Sequence, residues 1–349
     1  MLLTERIEAM DDGIEVVRAA TVEEGKLYPF PEGWYVVAES RELACGELRE
    51  RMWLGQSIVY WRDLNGDVCV ADGTCPHLGS HLGPTAGGKL KNGNLVCPFH
   101  GFEYDVSGTC VRARDVKPPR SAQLIRFAVA ETSGLIFAYF GQDSMKPRWQ
   151  MPLFPSDGIA RGVRRITLRA HPQTTSENSV DMNHLEEVHG YTRLTKLRET
   201  EVCGPFLFSS YSFTRNMLTF GLRKLQFDVE IQIGVWGLGM STVNISTEYG
   251  ILARQWVLST PIDGEMIELW LIVDIRKLPN WWWLRRLLRN PAAKLAARLG
   301  VNDLEEDVRK DVVIWDKQNY RSRPAYSASD KDISQFRRYC QQFYSKVAQ

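Results

Sequence analysis

Between Gly33 and about Gln142 the apolar residues come in short runs broken by turn signals. Trp34–Ser40, Ser57–Asp63, Asp67–Gly73 and Leu135–Gly141 are rich in β-branched and aromatic residues, and Leu64-Asn65-Gly66-Asp67 is a hairpin turn between two of them. This pattern predicts an all-β unit. A Pro-containing stretch, Lys146–Gly158, reads as a crossing to a second region. Beyond it, strand-like runs recur at Gly162–Ala170, Phe206–Arg215, Lys224–Val235, Met240–Ser246, Ile251–Ser259 and Ile267–Arg276. The text then turns helical, at Val301–Gln318 and at Asp332–Val347, where Phe336, Tyr339, Cys340, Phe343 and Tyr344 form an apolar stripe. The expected division is an N-terminal segment at 1–30, a β unit at 31–145 and a larger unit at 146–349, within an α+β class.

With 349 residues the chain can bury a full core in each unit. Its 43 basic and 42 acidic residues leave a net charge of +1, so no electrostatic case exists for nucleic acid as a partner. No run approaches the roughly 20 apolar residues of a membrane span, and the first residues lack the pattern of a secretory signal. Seven cysteines, an odd number, do not suggest a disulfide framework; a reducing cytoplasm with some cysteines spent on metal is expected.

Two short segments of the β unit concentrate chemistry. Thr74-Cys75-Pro76-His77-Leu78-Gly79 and Val96-Cys97-Pro98-Phe99-His100-Gly101 each carry one cysteine, one histidine and a nearby glycine. Two cysteines and two histidines also suit tetrahedral zinc. Zinc-finger spacing, however, pairs Cys with Cys and His with His along the chain. One cysteine and one histidine per arm suits a pair of irons, in which one iron takes both thiolates and the other both imidazoles. Thr85–Asn94 reads as a loop that lengthens the gap between the arms, and His81 as a loop residue covering the centre.

The second region has its own cluster, SENSVDMNHLEEVHG at Ser176–Gly190, with His184 and His189 among only six histidines. Asp181 and His184, three apart, would share a helix face. His184 and His189 are five positions apart, which splays them by roughly 140° on a regular α-helix. If both bind one metal, the helix must bulge or end before His189.

The Cys-x-His and Cys-x-x-His arms resemble the Rieske [2Fe–2S] domain. Followed by Asn178-x-x-Asp181-x-x-His184-x4-His189, they resemble the Rieske non-haem iron oxygenases, over about Pro29 to Tyr344. Asp311-Val-Val-Ile-Trp-Asp-Lys, with Phe336–Tyr344 (FRRYCQQFY), is similar to the branch holding 3-ketosteroid 9α-hydroxylases and cholesterol 7-desaturases. The resemblance implies an all-β Rieske domain followed by a helix-grip (START-like) catalytic domain, with an antiparallel sheet and C-terminal helices. It implies a [2Fe–2S] cluster on Cys75, His77, Cys97 and His100, and Fe(II) on His184, His189 and Asp311, with Asp307 as the rival carboxylate and Glu186 and Glu187 as weaker ones. Asp181 would sit between metal-bound histidines of neighbouring subunits in a homotrimer, and Asn178 near the iron. The implied reaction uses O₂ to hydroxylate, desaturate or demethylate a hydrophobic, sterol-like substrate; a smaller aromatic or alkaloid-like substrate is the alternative. No GxGxxG for NAD or flavin is present, so NAD(P)H enters only through a ferredoxin or flavin-dependent reductase.

Leu278–Gly300 is unusual, with Trp281, Trp282 and Trp283 followed by arginines and leucines. It fits a peripheral membrane contact, or a lid or subunit contact over the pocket. Three other readings compete. A Rieske electron carrier without chemistry of its own needs only the first unit. A di-iron bundle could use Glu186-x-x-His189 but needs a second such motif, which is missing. A zinc-stapled binding module would be colourless.

Overall fold

A computed structural model describes residues 26–114, 116–219, 223–279 and 289–344. The first strands in chain order are β1 (Gly33–Glu39), β2 (Leu48–Trp53), β3 (Gln56–Arg62), β4 (Val68–Asp72), β5 (Lys89–Lys91) and β6 (Asn94–Val96). They are followed by β7 (Phe102–Tyr104), β8 (Cys110–Ala113), β9 (Arg126–Phe127), β10 (Val129–Thr132) and β11 (Leu135–Phe140). They form three small antiparallel sheets, ordered β1-β11-β10, β2-β3-β4-β9 and β5-β6-β7-β8. The expected hairpin between β3 and β4 is present, closed by the Asp63 N–H donating to Asp67 O at 2.9 Å. Thr85–Asn94, expected as a loop, instead contributes β5, and the turn into β6 is Asn92-Gly93, both at positive φ. An Asn-Gly pair with both residues left-handed closes a two-residue hairpin in register with strand twist.

Residues 141–158 are irregular and lead to β12 (Ala160–Arg169), α1 (Pro172–Glu177) and α2 (Met182–Glu187). Next come β13 (Thr192–Cys203), β14 (Phe206–Thr219), β15 (Arg223–Trp236), β16 (Met240–Thr247), β17 (Leu252–Pro261) and β18 (Met266–Lys277). The helices α3 (Arg289–Trp315) and α4 (Lys331–Cys340) close the described chain. The seven strands make one antiparallel sheet, β12-β18-β17-β16-β15-β14-β13.

Strand alternation gives this sheet two apolar faces. On one, Leu269, Leu271 and Val273 pack with Ala297, Val301 and Val308 of α3, while Ile231, Ile233 and Phe213 pack with Phe336 and Tyr339 of α4. On the other, Trp256, Leu258, Trp270 and Ile272 join Trp34, Val36, Phe137 and Tyr139 of β1 and β11 in one core. The β1-β11 sheet therefore lies against the back of the helix-covered sheet. The joint is also charged: Arg165 stacks on Trp270 at 3.6 Å and donates to Glu42 at 2.7 Å and to Glu39 at 3.1 Å.

The helix predicted from Val301 starts three turns earlier. Residues 289–300, part of the tryptophan-rich stretch, belong to α3, where Ala293 and Ala297 are fully buried against the sheet while Leu295 and Leu299 are exposed. Trp281, Trp282 and Trp283 lie outside the described residues. No helix among the described residues is long and apolar enough to cross a membrane.

Candidate metal centres

The two Cys/His arms are loops of one design. Cys75 N–H donates to Ser80 O and Gly79 N–H to Cys75 O, at 2.8 and 2.9 Å; Cys97 N–H donates to Phe102 O and Gly101 N–H to Cys97 O, at 2.8 and 3.0 Å. Gly79 and Gly101 sit at φ 76° and 69°, the left-handed region that closes such a turn without a Cβ penalty. Both thiols are buried, and the two histidine rings lie 4.8 Å apart at 77°, His77 stacked on Phe102 at 4.3 Å. The Tyr104 hydroxyl is 3.2 Å from Cys75 Sγ. Burial pushes the Cys75 thiol up, opposed by that hydroxyl. The Nδ1 of His100 is buried without a hydrogen-bond partner, a state a metal ligand atom would show before loading. His81 does not reach into this arrangement: its Nε2 meets Ser57 Oγ at 2.8 Å and its Nδ1 accepts from Gly83 N–H at 3.1 Å.

In the second cluster the helix ends before His189. Val188 caps α2, Gly190 takes φ 69°, and Tyr191 N–H reaches back to Leu185 O at 3.0 Å. That turn brings the rings of His184 and His189 to 5.1 Å at 78°. One ligand atom from each of His184, His189 and Asp311 lies within 4.8 Å of the others, Asp311 arriving from α3, with His189 Nε2 3.4 Å from Asp311 Oδ1. Asp307, one helical turn earlier, faces the other ring nitrogen of His189 at 3.8 Å. Glu186 and Glu187 are exposed.

Asp181 differs from its expected form. It is the N-cap of α2, not a helical residue, and its Oδ1 accepts from Asn183 and His184 N–H at 3.0 and 3.2 Å. Its main-chain carbonyl, rather than its carboxylate, takes His184 Nδ1, at 2.5 Å. Capping uses the carboxylate, and the chain reversal before the helix aims the carbonyl at the ring. His184 is thereby fixed with Nε2 free to ligate. Asn178, the C-cap of α1, lies beside the Asp311 carboxylate and favours its charged form.

Burial dominates the electrostatics. It lowers His184, against the pull of Asp181, and lowers His189 to about 4, against the pull of Asp307. Burial likewise pushes the Asp311 carboxyl up to about 7, with Asn178 opposing and the Asp307 and Asp181 charges adding. Neutral imidazoles beside a carboxylate whose charge is unfavourable in isolation form a donor set that suits a divalent cation. Its 2-His-1-carboxylate composition is that of non-haem ferrous sites. Tyr191 and Arg215, which hold Asp307, carried no sequence signal; their role depends on the Arg215 side chain of β14 reaching across to α3.

The Rieske [2Fe-2S] domain family matches residues 33–130, and the family described as 3-ketosteroid 9alpha-hydroxylase C-terminal domain matches 138–344. A cholesterol 7-desaturase of Bombyx mori is 29% identical over 91% of this chain and 70% of its own length. An aminopyrrolnitrin oxygenase of Pseudomonas fluorescens is 25% identical over 90% and 92%. Among solved structures, dicamba monooxygenase bound to dicamba shares the fold, with a TM-score of 0.63 at 18% identity over 90% of this chain and 98% of that one.

Proposed function

We propose a specific reaction for this chain, which belongs to the Rieske non-haem iron oxygenases with a 3-ketosteroid 9alpha-hydroxylase-type C-terminal domain: oxidation of a C–H bond in a polycyclic, steroid- or sterol-like substrate. The observation that carries it is the convergence of His184, His189 and Asp311 within 4.8 Å, in a chain that also folds two matched Cys/His loops. Cys75, His77, Cys97 and His100 would hold the [2Fe–2S] cluster, and His184, His189 and Asp311 the mononuclear iron. Loaded, the ferrous ion would supply O₂ activation and the cluster one-electron delivery. In the hydroxylation form, substrate R–H, O₂, two electrons and two protons become R–OH and water. The electrons come from outside, through a ferredoxin or flavin-dependent reductase.

The residues of the chain provide the frame. The Asp181 carbonyl fixes the His184 tautomer, Asn178 sits beside Asp311, and burial favours the neutral form of both imidazoles. The sterol-like assignment rests on the C-terminal family match and on the desaturase relatives. A smaller aromatic substrate is the second reading, favoured by the aminopyrrolnitrin oxygenase relative. Electrons would cross between subunits of a ring, most simply a trimer, with Asp181 at the joint. All seven cysteines are free, which supports a reducing, cytoplasmic setting.

One experiment tests site and assembly together. His184→Ala should keep the visible spectrum of the cluster, lose one iron per chain and lose turnover of a steroid panel; Cys97→Ala should lose the colour and turnover. Co-expressed, the two should recover part of the activity. Loss of the cluster colour in His184→Ala refutes the ligand division, and inactive mixed rings refute transfer between subunits. Turnover of small aromatics alone refutes the substrate class.

A further inference from the structure

His189 is held from both sides. Its Nε2 faces Asp311, while its Nδ1 is buried, lacks a hydrogen-bond partner among the described residues, and faces Asp307 Oδ1 at 3.8 Å. Asp307 in turn is the centre of a dense set of donors. Tyr191 donates its hydroxyl to Oδ2 at 2.7 Å, Arg215 donates to the same oxygen at 2.9 Å, and Lys310 lies 3.1 Å from Oδ1. Each donor is itself fixed. Tyr191 stacks flat on Phe213 at 4.4 Å, and Arg215 packs over the Tyr191 ring at 5.2 Å while reaching Asp303 at 2.9 Å. Three donors, from the segment before β13, from β14 and from α3, thus converge on this one carboxylate. They hold it in place with Oδ1 facing the His189 ring.

We propose that Asp307 is a positioning residue for the mononuclear metal: its carboxylate accepts a hydrogen bond from Nδ1–H of His189, fixing the tautomer that presents Nε2 to the ion. The inference rests on the reading of His184, His189 and Asp311 as ligands, and assigns Asp307 to the shell behind them. The present 3.8 Å gap needs a closure of about 1 Å to become a hydrogen bond, a shift within the rotation of one imidazole. Metal-ligating histidines are commonly oriented by a carboxylate in this way, and removing that carboxylate costs roughly 10–100-fold in metal affinity. A ligand role for Asp307 would instead require it to leave Tyr191, Arg215 and Lys310.

The test uses the full chain with its cluster in place, chelated to remove loosely held iron and then titrated with Fe(II). Asp307→Asn is expected to weaken Fe(II) binding about 10–100-fold with an unchanged cluster spectrum, and to alter the electron paramagnetic resonance of the nitric oxide adduct. Tyr191→Phe, which removes one donor and keeps the Arg215 ion pair, should shift both readouts in the same direction by less. An Asp307→Asn protein that binds Fe(II) like the parent, with an unaltered nitric oxide spectrum, makes Asp307 a structural ion pair and overturns the inference. If Asp307→Ala abolishes binding while Asp311→Ala retains it, Asp307 is the ligand, which also overturns it. A parent protein that takes up no Fe(II) would refute the metal-site reading itself, an outcome distinct from both.

Discussion

Gly162 sets the distance between α3 and the sheet, and adding a single methyl there should be felt at the metal. An ideal Cβ on Gly162 would lie 2.4 Å from Ala297 O, 2.9 Å from Val301 Cγ1 and 3.0 Å from Ala297 C. Reaching an ordinary contact of 3.4 Å requires a backbone movement of about 1 Å, because the carbonyl oxygen cannot rotate away. Gly→Ala gains about 0.5–1 kcal/mol in a strand by restricting the unfolded chain. Overpacking of this kind costs about 1–3 kcal/mol, so the expected net change for Gly162→Ala is destabilising by about 1–2 kcal/mol. Val at this position adds two further methyls against Val301 and should cost more. The same helix carries Asp311, about 21 Å further along at 1.5 Å per residue, so a tilt at Ala297 is transmitted to the carboxylate. Urea unfolding midpoints and Fe(II) retained per cluster are the two measurements. Gly162→Ala should lower both and Gly162→Val lower them further, with the cluster spectrum intact. If Gly162→Val matches the parent in both, close packing at this point does not position α3, and the argument fails.

Two further outcomes are expected. His171 caps α1, accepting from Gln173 N–H at 3.0 Å with its Nε2 on Tyr28 O at 2.9 Å, and burial lowers it from 6.5 to about 4. Its folded value is depressed, so the unfolded chain binds the extra proton; the stabilisation is complete above about pH 6.5 and lost as pH falls toward about 4. The partly exposed ring reduces the nominal effect to about 1–2 kcal/mol, and His171→Asn, which can still cap, should flatten that part of the pH–stability curve; an unchanged curve would refute the assignment. Arg337 forks onto Glu177 at 2.7 and 2.8 Å, tying α4 to α1. Arg337→Met should cost about 1–3 kcal/mol by leaving a half-buried carboxylate unpaired, and Arg337→Lys should recover only part of it in urea titrations; equal stability of all three proteins would show that the fork contributes nothing.

The strands with alternating or aromatic-rich text, such as β1, β3, β15 and β18, were legible because one or both faces are buried. β13 was not. It is an edge strand, and Thr192–Cys203 exposes most of its residues, so its text, rich in Arg, Lys, Thr and Glu, lacks the apolar period of a core strand. In the first half of α3 the buried face was the part not legible. Leu295 and Leu299 are 50% and 47% exposed, whereas the buried stripe is Ala293, Ala297 and Val301. Where helix and sheet approach closely, small residues face the core and the larger apolar ones turn outward, so hydrophobicity alone points to the wrong face. The two histidine spacings were legible because only a broken helix lets residues five apart converge. The carboxylate behind them was not, because it depends on which helix face meets β14.

That face also bears on where along it the proposed metal would sit. Asp303, Asp307 and Asp311 recur every four residues on α3, a spacing that stacks three like charges along one side of a helix and is unfavourable by itself. The first two are offset by protein cations: Arg215 reaches both at 2.9 Å and Lys310 lies 3.1 Å from Asp307. Asp311 meets the His189 imidazole instead, with Asn178 beside it, and burial pushes its carboxyl up to about 7. Two kinds of occupant could relieve it, a proton or a cation. A proton would satisfy Asp311 alone and leave the ring nitrogens of His184 and His189 converging on nothing. A divalent ion answers all three groups at once, and the Arg215 and Lys310 charges on the neighbouring turns keep it from settling at Asp303 or Asp307. On the proposed ligand set, the charge pattern along α3 would favour the Asp311 end for the metal and leave Asp307 to hold the histidine from behind.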